Sequence, residues 1–291
     1  MAHRSGFVSI VGSPNVGKST LMNQLVGEKL SIVTSKAQTT RHRILGIVND
    51  EDYQIVFSDT PGVVNAAYKL HENMMDYVNA SLKDADVLIF ITDTREKEMN
   101  HKETLEKIKK LNIPVLCLIN KIDLSDQSVV TQQMAYWQEL LPKAEVYPVS
   151  ALHAFNVETV WERIRSWIPE NPPYFDKEEL SDRPMRFFVS EIIREKIFLH
   201  CEKEVPYSSQ VEIDTYEETG NLVKIRAQII VERNSQKGIL IGKSGDMLKK
   251  IGRDARMEIE KFIERKVFLE TFVKVDKDWR STDLKLKKYG Y

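Results

Sequence analysis

The chain has 291 residues, 42% apolar and 29% charged side chains, and a net charge of -1, the makeup of an ordinary globular protein of about two domains. No apolar run approaches the length of a membrane-spanning helix, and the opening MAHRSGFVSIVG lacks the layout of a signal peptide. The two cysteines, one of them inside the apolar run VLCLIN, read as reduced thiols of a cytoplasmic protein. The near-zero charge conceals an asymmetry. Residues 185–291 hold 22 Lys+Arg against 18 Asp+Glu, and the remainder is acidic, a mild pointer to a polyanion on the C-terminal side.

In chain order, FVSIVG (7–12) reads as a strand and residues 18–27 as a helix. HRILGIVND and YQIVFSD follow as two strands close enough for a hairpin. DVLIFITD (86–93), PVLCLIN (114–120) and EVYPVSA (145–151) are further strands, alternating with helices expected at 71–83, 101–111, 129–141 and 157–167. Apolar strands separated by helices predict a mostly parallel sheet covered on both faces. The prolines of IPENPPYFDKEELSDRPMR mark a partly stiff spacer, assigned to 171–184, between a first domain at 1–170 and a second at 185–291. The second domain reads as helix, two strands with a Thr219-Gly220-Asn221 turn, a short helix at 236–241, a tight turn at 242–245, an amphipathic helix at 246–265 and a closing strand, VFLETFVKVD. The expected class is therefore α/β with a smaller α+β domain behind it.

Gly-Lys-Ser occurs twice. The first copy, GSPNVGKST, satisfies GxxxxGK[ST] between a predicted strand and a predicted helix, the context of a phosphate-binding P-loop. Backbone N–H groups from Gly12, Asn15, Val16, Gly17, Lys18, Ser19 and Thr20 are expected around the phosphates, with the helix N-terminus behind them. Lys18 is expected to reach the β- and γ-phosphates and Ser19 to offer an oxygen to Mg²⁺. Asp59-Thr60-Pro61-Gly62 at a strand end places a carboxylate, Asp59, beside Mg²⁺ through water, with Gly62 turning toward the γ-phosphate. Asn120-Lys121-Ile122-Asp123 ends the fifth strand; its Asp123 can accept two N–H groups from a guanine edge, which adenine cannot offer. Ser150-Ala151 follows, where a backbone N–H is expected to meet the guanine oxygen. Val63 stands where a Ras-like enzyme carries its water-positioning glutamine, so slow intrinsic hydrolysis is expected.

The second copy, LIGKSGDM, fails the same test: six residues before Lys243 stands Lys237, and a helix intervenes after the strand. Gly242-Lys243-Ser244-Gly245 is instead GXXG between two helices. Glycines there let a nucleic-acid backbone approach, and Lys243 can meet a phosphate. Ile239 and Ile241, with Ile229 or Val231, are expected to floor a groove for splayed bases, flanked by Lys249, Lys250, Arg253 and Arg256. The plain alternatives are a helix-to-helix turn, core isoleucines and a solvated lysine face.

Taken together, NVGKS, KAQTTRHRILG, DTPG, NKID and GILIGKSGDMLKKIG resemble the Era-type GTPases of the TRAFAC class, which pair a P-loop GTPase domain with a type II KH domain, over nearly the whole chain. The resemblance implies a GTP/GDP- and Mg²⁺-dependent switch with mobile segments at 31–43 and 60–69. It implies Thr40, with Thr39 as the alternative, as the switch ligand to Mg²⁺ beside Ser19 and Asp59. Lys18, Thr40, Gly62 and Asn15 make up the expected catalytic set. Asn15 is a candidate holder of K⁺ near the phosphates, or alternatively a stabiliser of the loop turn. The implied partner is the single-stranded 3′ end of 16S ribosomal RNA, bound during assembly of the 30S subunit by a monomer in the cytoplasm, with room for peripheral contact with the inner membrane surface. A membrane-directed GTPase and an RNA module with an inert nucleotide site are the rival readings. A double-GTPase relative is excluded by the single NKxD.

Overall fold

The computed structural model describes residues 3–96 and 102–291. The chain divides into two compact units, Met1–Ala67 with His71–Asp182, and Tyr68–Leu70 with Arg183–Tyr291.

The first unit runs β1 (Arg4–Val11), α1 (Lys18–Val26), β2 (Ile44–Asn49), β3 (Tyr53–Asp59), α2 (Lys69–Asp84), β4 (Val87–Asp93), α3 (Lys102–Lys109), β5 (Val115–Asn120), α4 (Gln127–Leu140), β6 (Glu145–Pro148) and α5 (Val157–Trp167). Its sheet has the order β2-β3-β1-β4-β5-β6, parallel except for the β2–β3 hairpin. Every residue of β4 and β5 is buried, which is why both read as unbroken apolar runs. The parallel strands deliver Gly12, Asp59, Asp93 and Asn120 to one edge of the sheet, where ligands of open α/β sheets bind. The helix expected from His101 begins, among the described residues, at Lys102.

The segment read as a spacer does not stand apart from this unit. The Ile47 N–H donates to the Leu180 carbonyl at 2.9 Å. The Ser181 hydroxyl donates to the Leu45 carbonyl at 2.5 Å. Gln54 accepts the N–H groups of Tyr174 and Phe175 at 2.7 and 3.0 Å and donates to the Phe175 carbonyl at 2.9 Å. The physical reason is edge protection: β2 is an outer strand, and a passing segment satisfies backbone groups that would otherwise stay open. The first unit accordingly extends to Asp182.

The second unit runs α6 (Met185–His200), α7 (Val205–Ser208), β7 (Gln210–Thr219), β8 (Leu222–Val231), α8 (Asn234–Ile241), α9 (Asp246–Ile263), β9 (Lys266–Val275) and α10 (Asp283–Lys288). β8 pairs antiparallel with β7 and parallel with β9, the parallel pair needing the α8–α9 crossover. Val189, Ile193 and Ile197 of α6 and Ile251, Ala255 and Ile259 of α9 meet Val223, Ile225, Ala227, Ile229 and Val231 in one core. The short helices α7 and α10 carry too few residues to show a period. Near α10, Trp279 is fully buried and donates its indole N–H to the Ser208 carbonyl at 3.0 Å.

Candidate functional site

The P-loop leaves β1 and enters α1 at Lys18. Two of its glycines are sterically required. A Cβ on Gly12 would lie 2.0 Å from the Ile91 carbonyl oxygen, and one on Gly17 (φ 102°) would lie 2.2 Å from Asn120 Nδ2. Lys18 is buried, and its ammonium donates to the carbonyls of Gly12 and Ser13 at 3.2 and 2.7 Å. Burial pushes its pKa down to about 8 against the opposing pull of the Asp59 and Glu96 carboxylates. The pocket beside it is lined by Asn15, Gly17, Ser19, Thr20, Thr40 and Gly62.

Three oxygens converge at its floor. Ser19 Oγ lies 2.7 Å from Asp59 Oδ2 and 2.8 Å from Thr40 Oγ1, and Thr40 Oγ1 lies 3.4 Å from Asp59 Oδ2. Asp59 is fully buried, its second oxygen Oδ1 has no hydrogen-bond partner, and burial raises its pKa. A buried carboxylate with an orphan oxygen beside two hydroxyls is a donor set of hard oxygens that fits Mg²⁺. Thr39 also lines the pocket, but its hydroxyl is held by its own loop: it lies 2.7 Å from that of Thr34 and donates to the Lys36 carbonyl at 2.8 Å.

Behind the pocket, Asn120 ties two loops together. Its Nδ2 donates to the Val16 carbonyl at 2.7 Å, and its Oδ1 accepts the Ala151 N–H at 2.9 Å. Both N–H groups of the Ser150-Ala151 pair, one of them expected to meet a guanine oxygen, already have partners: Ser150 donates to the Phe155 carbonyl at 3.2 Å and Ala151 to Asn120. The reason is that an N–H buried among these loops needs a partner of its own. Ser150 Oγ donates to Asp123 Oδ1 at 2.5 Å, leaving that carboxylate half-exposed beside the exposed His153. Lys121 Nζ spans from the Asn15 carbonyl at 2.5 Å to Asp93 Oδ2 at 2.9 Å.

Gly62 passes so close to Pro14 that a Cβ would lie 2.7 Å from the Pro14 Cα. Val63 is buried in the core with Val11, and its N–H donates to the Gly12 carbonyl at 3.1 Å. That side chain therefore packs and orders no water. Asn15 (φ 64°) donates from Nδ2 to the Ser35 carbonyl at 2.9 Å, tying the P-loop to the segment 31–43. Three residues that sequence reasoning passed over belong to this frame. Asn23 holds Ser31 by accepting its N–H at 2.9 Å and donating to its carbonyl at 2.7 Å. Glu96 accepts from the Ser13 and Thr92 hydroxyls. Asp93 anchors Lys121. The signal for the last two was their place at the β4 terminus, level with Asp59 and Asn120.

In the second unit the GXXG turn joins α8 to α9. Gly242 (φ 72°) would place a Cβ 2.7 Å from Met247 Cβ, and Ser244 and Gly245 are also left-handed at φ 55° and 82°. Lys243 and Ser244 are exposed at the tip. Ile239 is 48% exposed and Ile241 half-buried on the preceding helix. Lys249, Lys250 and Arg253 are exposed on α9, and the Lys249 stem passes over Gly245. Arg253 pairs with Asp254 at 3.1 Å; that bond, with His200 on the other carboxylate oxygen, holds Asp254 below its ordinary pKa. Ile229 and Val231 are corrected: both are fully buried under α6 and α9, on the inner face of the sheet, and cannot floor a groove.

A complete P-loop nucleotide site on an open α/β sheet, followed by a unit with an exposed GXXG turn, defines a nucleotide-hydrolysing switch joined to an RNA-binding module. Residues 7–121 match the family described as 50S ribosome-binding GTPase, and residues 204–280 match the KH domain family. The chain is 48% identical over 290 residues to the GTPase Era of Geotalea uraniireducens, covering 99% of this chain and 98% of that one. It is 42% identical over 294 residues to the chloroplastic GTPase ERA1 of Zea mays, covering 71% of that protein. A crystal structure of Era in complex with MgGDPNP and nucleotides 1506–1542 of 16S ribosomal RNA superposes with a TM-score of 0.94 at 38% identity, covering 99% of both chains. An Aquifex aeolicus Era variant bound to GDP·AlF4⁻ gives the same TM-score at 39% identity and the same coverage. The chain belongs to the GTPase Era family, and its reaction is hydrolysis of GTP to GDP and phosphate.

Proposed function

We propose that this GTPase is a switch whose second unit binds the single-stranded 3′ end of 16S ribosomal RNA, and that it acts as a monomer in assembly of the 30S subunit in the cytoplasm. The observation that carries this reading is the exposed Gly242–Gly245 turn, with Lys243 and Ser244 at its tip and Lys249 beside it, in a chain that matches RNA-bound Era along its whole length. Exposed ammonium groups there suit a phosphate backbone, and the half-exposed Ile239 suits an unstacked base.

In the first unit Ser19 and Thr40 would hold Mg²⁺, with Asp59 beside it; the ion supplies charge neutralisation at the β- and γ-phosphates. Lys18 binds and orients the phosphates, leaving the loop carbonyls for the ligand. Asp123 reads the guanine edge, with Ser150 fixing its orientation and Lys121 bracing the P-loop. Gly62 has no side chain of its own and packs against Pro14 of the P-loop, which suits an approach of its backbone to the γ-phosphate. Asn15 already donates from Nδ2 to Ser35, so its Oδ1 is the atom offered to K⁺; an unchanged rate with Na⁺ in place of K⁺ removes that role.

The test is fluorescence anisotropy with a labelled single-stranded 3′ tail of 16S ribosomal RNA, in the presence of a GTP analogue or GDP. Wild type is compared with Lys243→Asp plus Ser244→Asp, after a melt establishes that the double variant is folded. Tight binding favoured by the GTP analogue and lost in the variant is expected. Equal binding by both proteins would reduce the GXXG segment to a turn.

A further inference from the structure

His71, near the start of α2, sits between the two switch segments and touches both. Its Nδ1 accepts the Ala67 N–H at 3.3 Å, and its Nε2 lies 3.1 Å from Gln38 Oε1. A ring nitrogen that accepts an N–H carries no proton, so the proton of the neutral imidazole is on Nε2 and is donated to Gln38. His71 is only 6% exposed, which shelters this bond from competing water. Gln38 itself holds a left-handed backbone at φ 56°, a conformation a glutamine keeps only when its surroundings fix it. It lines the nucleotide pocket and stands two residues before Thr40, the threonine that meets Ser19 and Asp59.

Since Val63 is buried and no side chain of the second switch has been placed at the phosphates, closure of the pocket depends on how the first switch is held. We propose that His71 is a positioning residue for GTP hydrolysis: by donating to Gln38 it holds the first switch, and with it the Thr40 hydroxyl, in the arrangement that completes the Mg²⁺ site. This rests on the assignment of Thr40 and the pocket made under the proposed function. GDP needs mainly the P-loop and the guanine-reading loops, so the contact bears on turnover more than on GDP affinity.

The experiment measures kcat and KM for GTP, and GDP affinity, on the full chain with Mg²⁺. The variants are His71→Ala, Gln38→Ala, the double variant, His71→Gln and His71→Asn. Losing one sheltered hydrogen bond is expected to lower kcat by about fivefold in each single Ala variant, with GDP affinity within about twofold of wild type. The double variant should lose no more than His71→Ala alone, because the bond between the two side chains is already gone in either single variant, whereas the Ala67 contact is lost equally in His71→Ala and the double variant. His71→Gln, which keeps a donor near the Nε2 position, should recover most of the rate; His71→Asn, which keeps an acceptor only for Ala67, should not. A general packing role would move the melting temperature and GDP affinity together and would show no difference between Gln and Asn. Losses that multiply to about 25-fold in the double variant would overturn the proposal. So would recovery by Asn and not by Gln. Should His71→Ala fail to fold, His71→Asn with Gln38→Ala carries the same cycle. Thr40→Ala is the control for the underlying site: if it keeps full Mg²⁺-dependent turnover, the site assignment fails and this inference with it. If Thr40→Ala is inactive and the cycle is additive, only the role of His71 fails.

Discussion

The two Gly-Lys-Ser segments share a tripeptide and little else. In the first, Lys18 is 5% exposed, its ammonium rests on two backbone carbonyls, and the flanking Gly12 and Gly17 are pressed against Ile91 and Asn120. In the second, Lys243 is exposed and no ion pair holds it among the described residues. Gly245 there has space around it; a Cβ would meet only the Lys249 stem at 3.8 Å. On the proposed function, one lysine is a buried charge for a small polyanion in a closed cradle, and the other a solvated charge for a polymer that passes by. The surroundings of the motif, far more than its letters, decide which chemistry it serves.

That contrast breaks most readily at the lysines. Lys18→Ala should reduce kcat/KM for GTP on the order of a thousandfold, since a desolvated charge at the phosphates has no substitute. Lys243→Ala should leave turnover without RNA unchanged and weaken RNA binding by about fivefold, with a shallower salt dependence. If the two variants had similar effects on turnover, the division of labour would be wrong. The glycines sharpen the same point in thermal melts. Gly12→Ala drives a methyl into the Ile91 carbonyl and should destabilise the first unit by about 3 kcal/mol. Gly245→Ala meets no wall and should cost about 1 kcal/mol, the cost of a left-handed alanine.

The smallest expected effect concerns Asp276 in the second unit. Burial pushes its carboxyl up, but hydrogen bonds from Lys285 and Tyr289 and the lysine charge outweigh it and hold the pKa below the ordinary 3.8. The unfolded chain therefore takes up that proton first as the pH falls. The stabilisation is complete above pH 4 or so and is lost as the pH falls through the lowered value. Asp276→Asn should cost about 1 kcal/mol at pH 7, and its melt should converge on wild type in acid. A difference that persists at pH 2 would mean the loss comes from packing.

Much of this was legible because it is periodic or punctuated. The alternation of apolar strands with helices announces the open sheet, and the strand ends announce the loops that carry Lys18, Asp59 and Asn120. What stayed hidden depends on direction in space. Ile229 and Val231 look like any apolar strand residues, and their burial follows from which face of β8 turns inward. Thr39 and Thr40 are adjacent and chemically equal; only the loop path separates the one held by Thr34 and Lys36 from the one beside Ser19. The tie between the Ala151 N–H and Asn120, 31 residues earlier, has no local signature. The segment 171–182 has the composition of a spacer, yet the open edge of β2 draws it in. His71 carries no motif; its importance appears only once Ala67 and Gln38 are seen on either side of one ring.

The two cysteines offer a consequence of a different kind. Cys117 is fully buried in β5 and Cys201 is 2% exposed at the end of α6, so each unit holds one sealed thiol. Burial also pushes the Cys117 thiol up, which suppresses the reactive thiolate while the strand is in place. Neither thiol can be alkylated until the chain around it opens. Labelling rates at the two positions would thus serve as separate clocks for local unfolding, reporting without any engineered probe which half of the molecule breathes first.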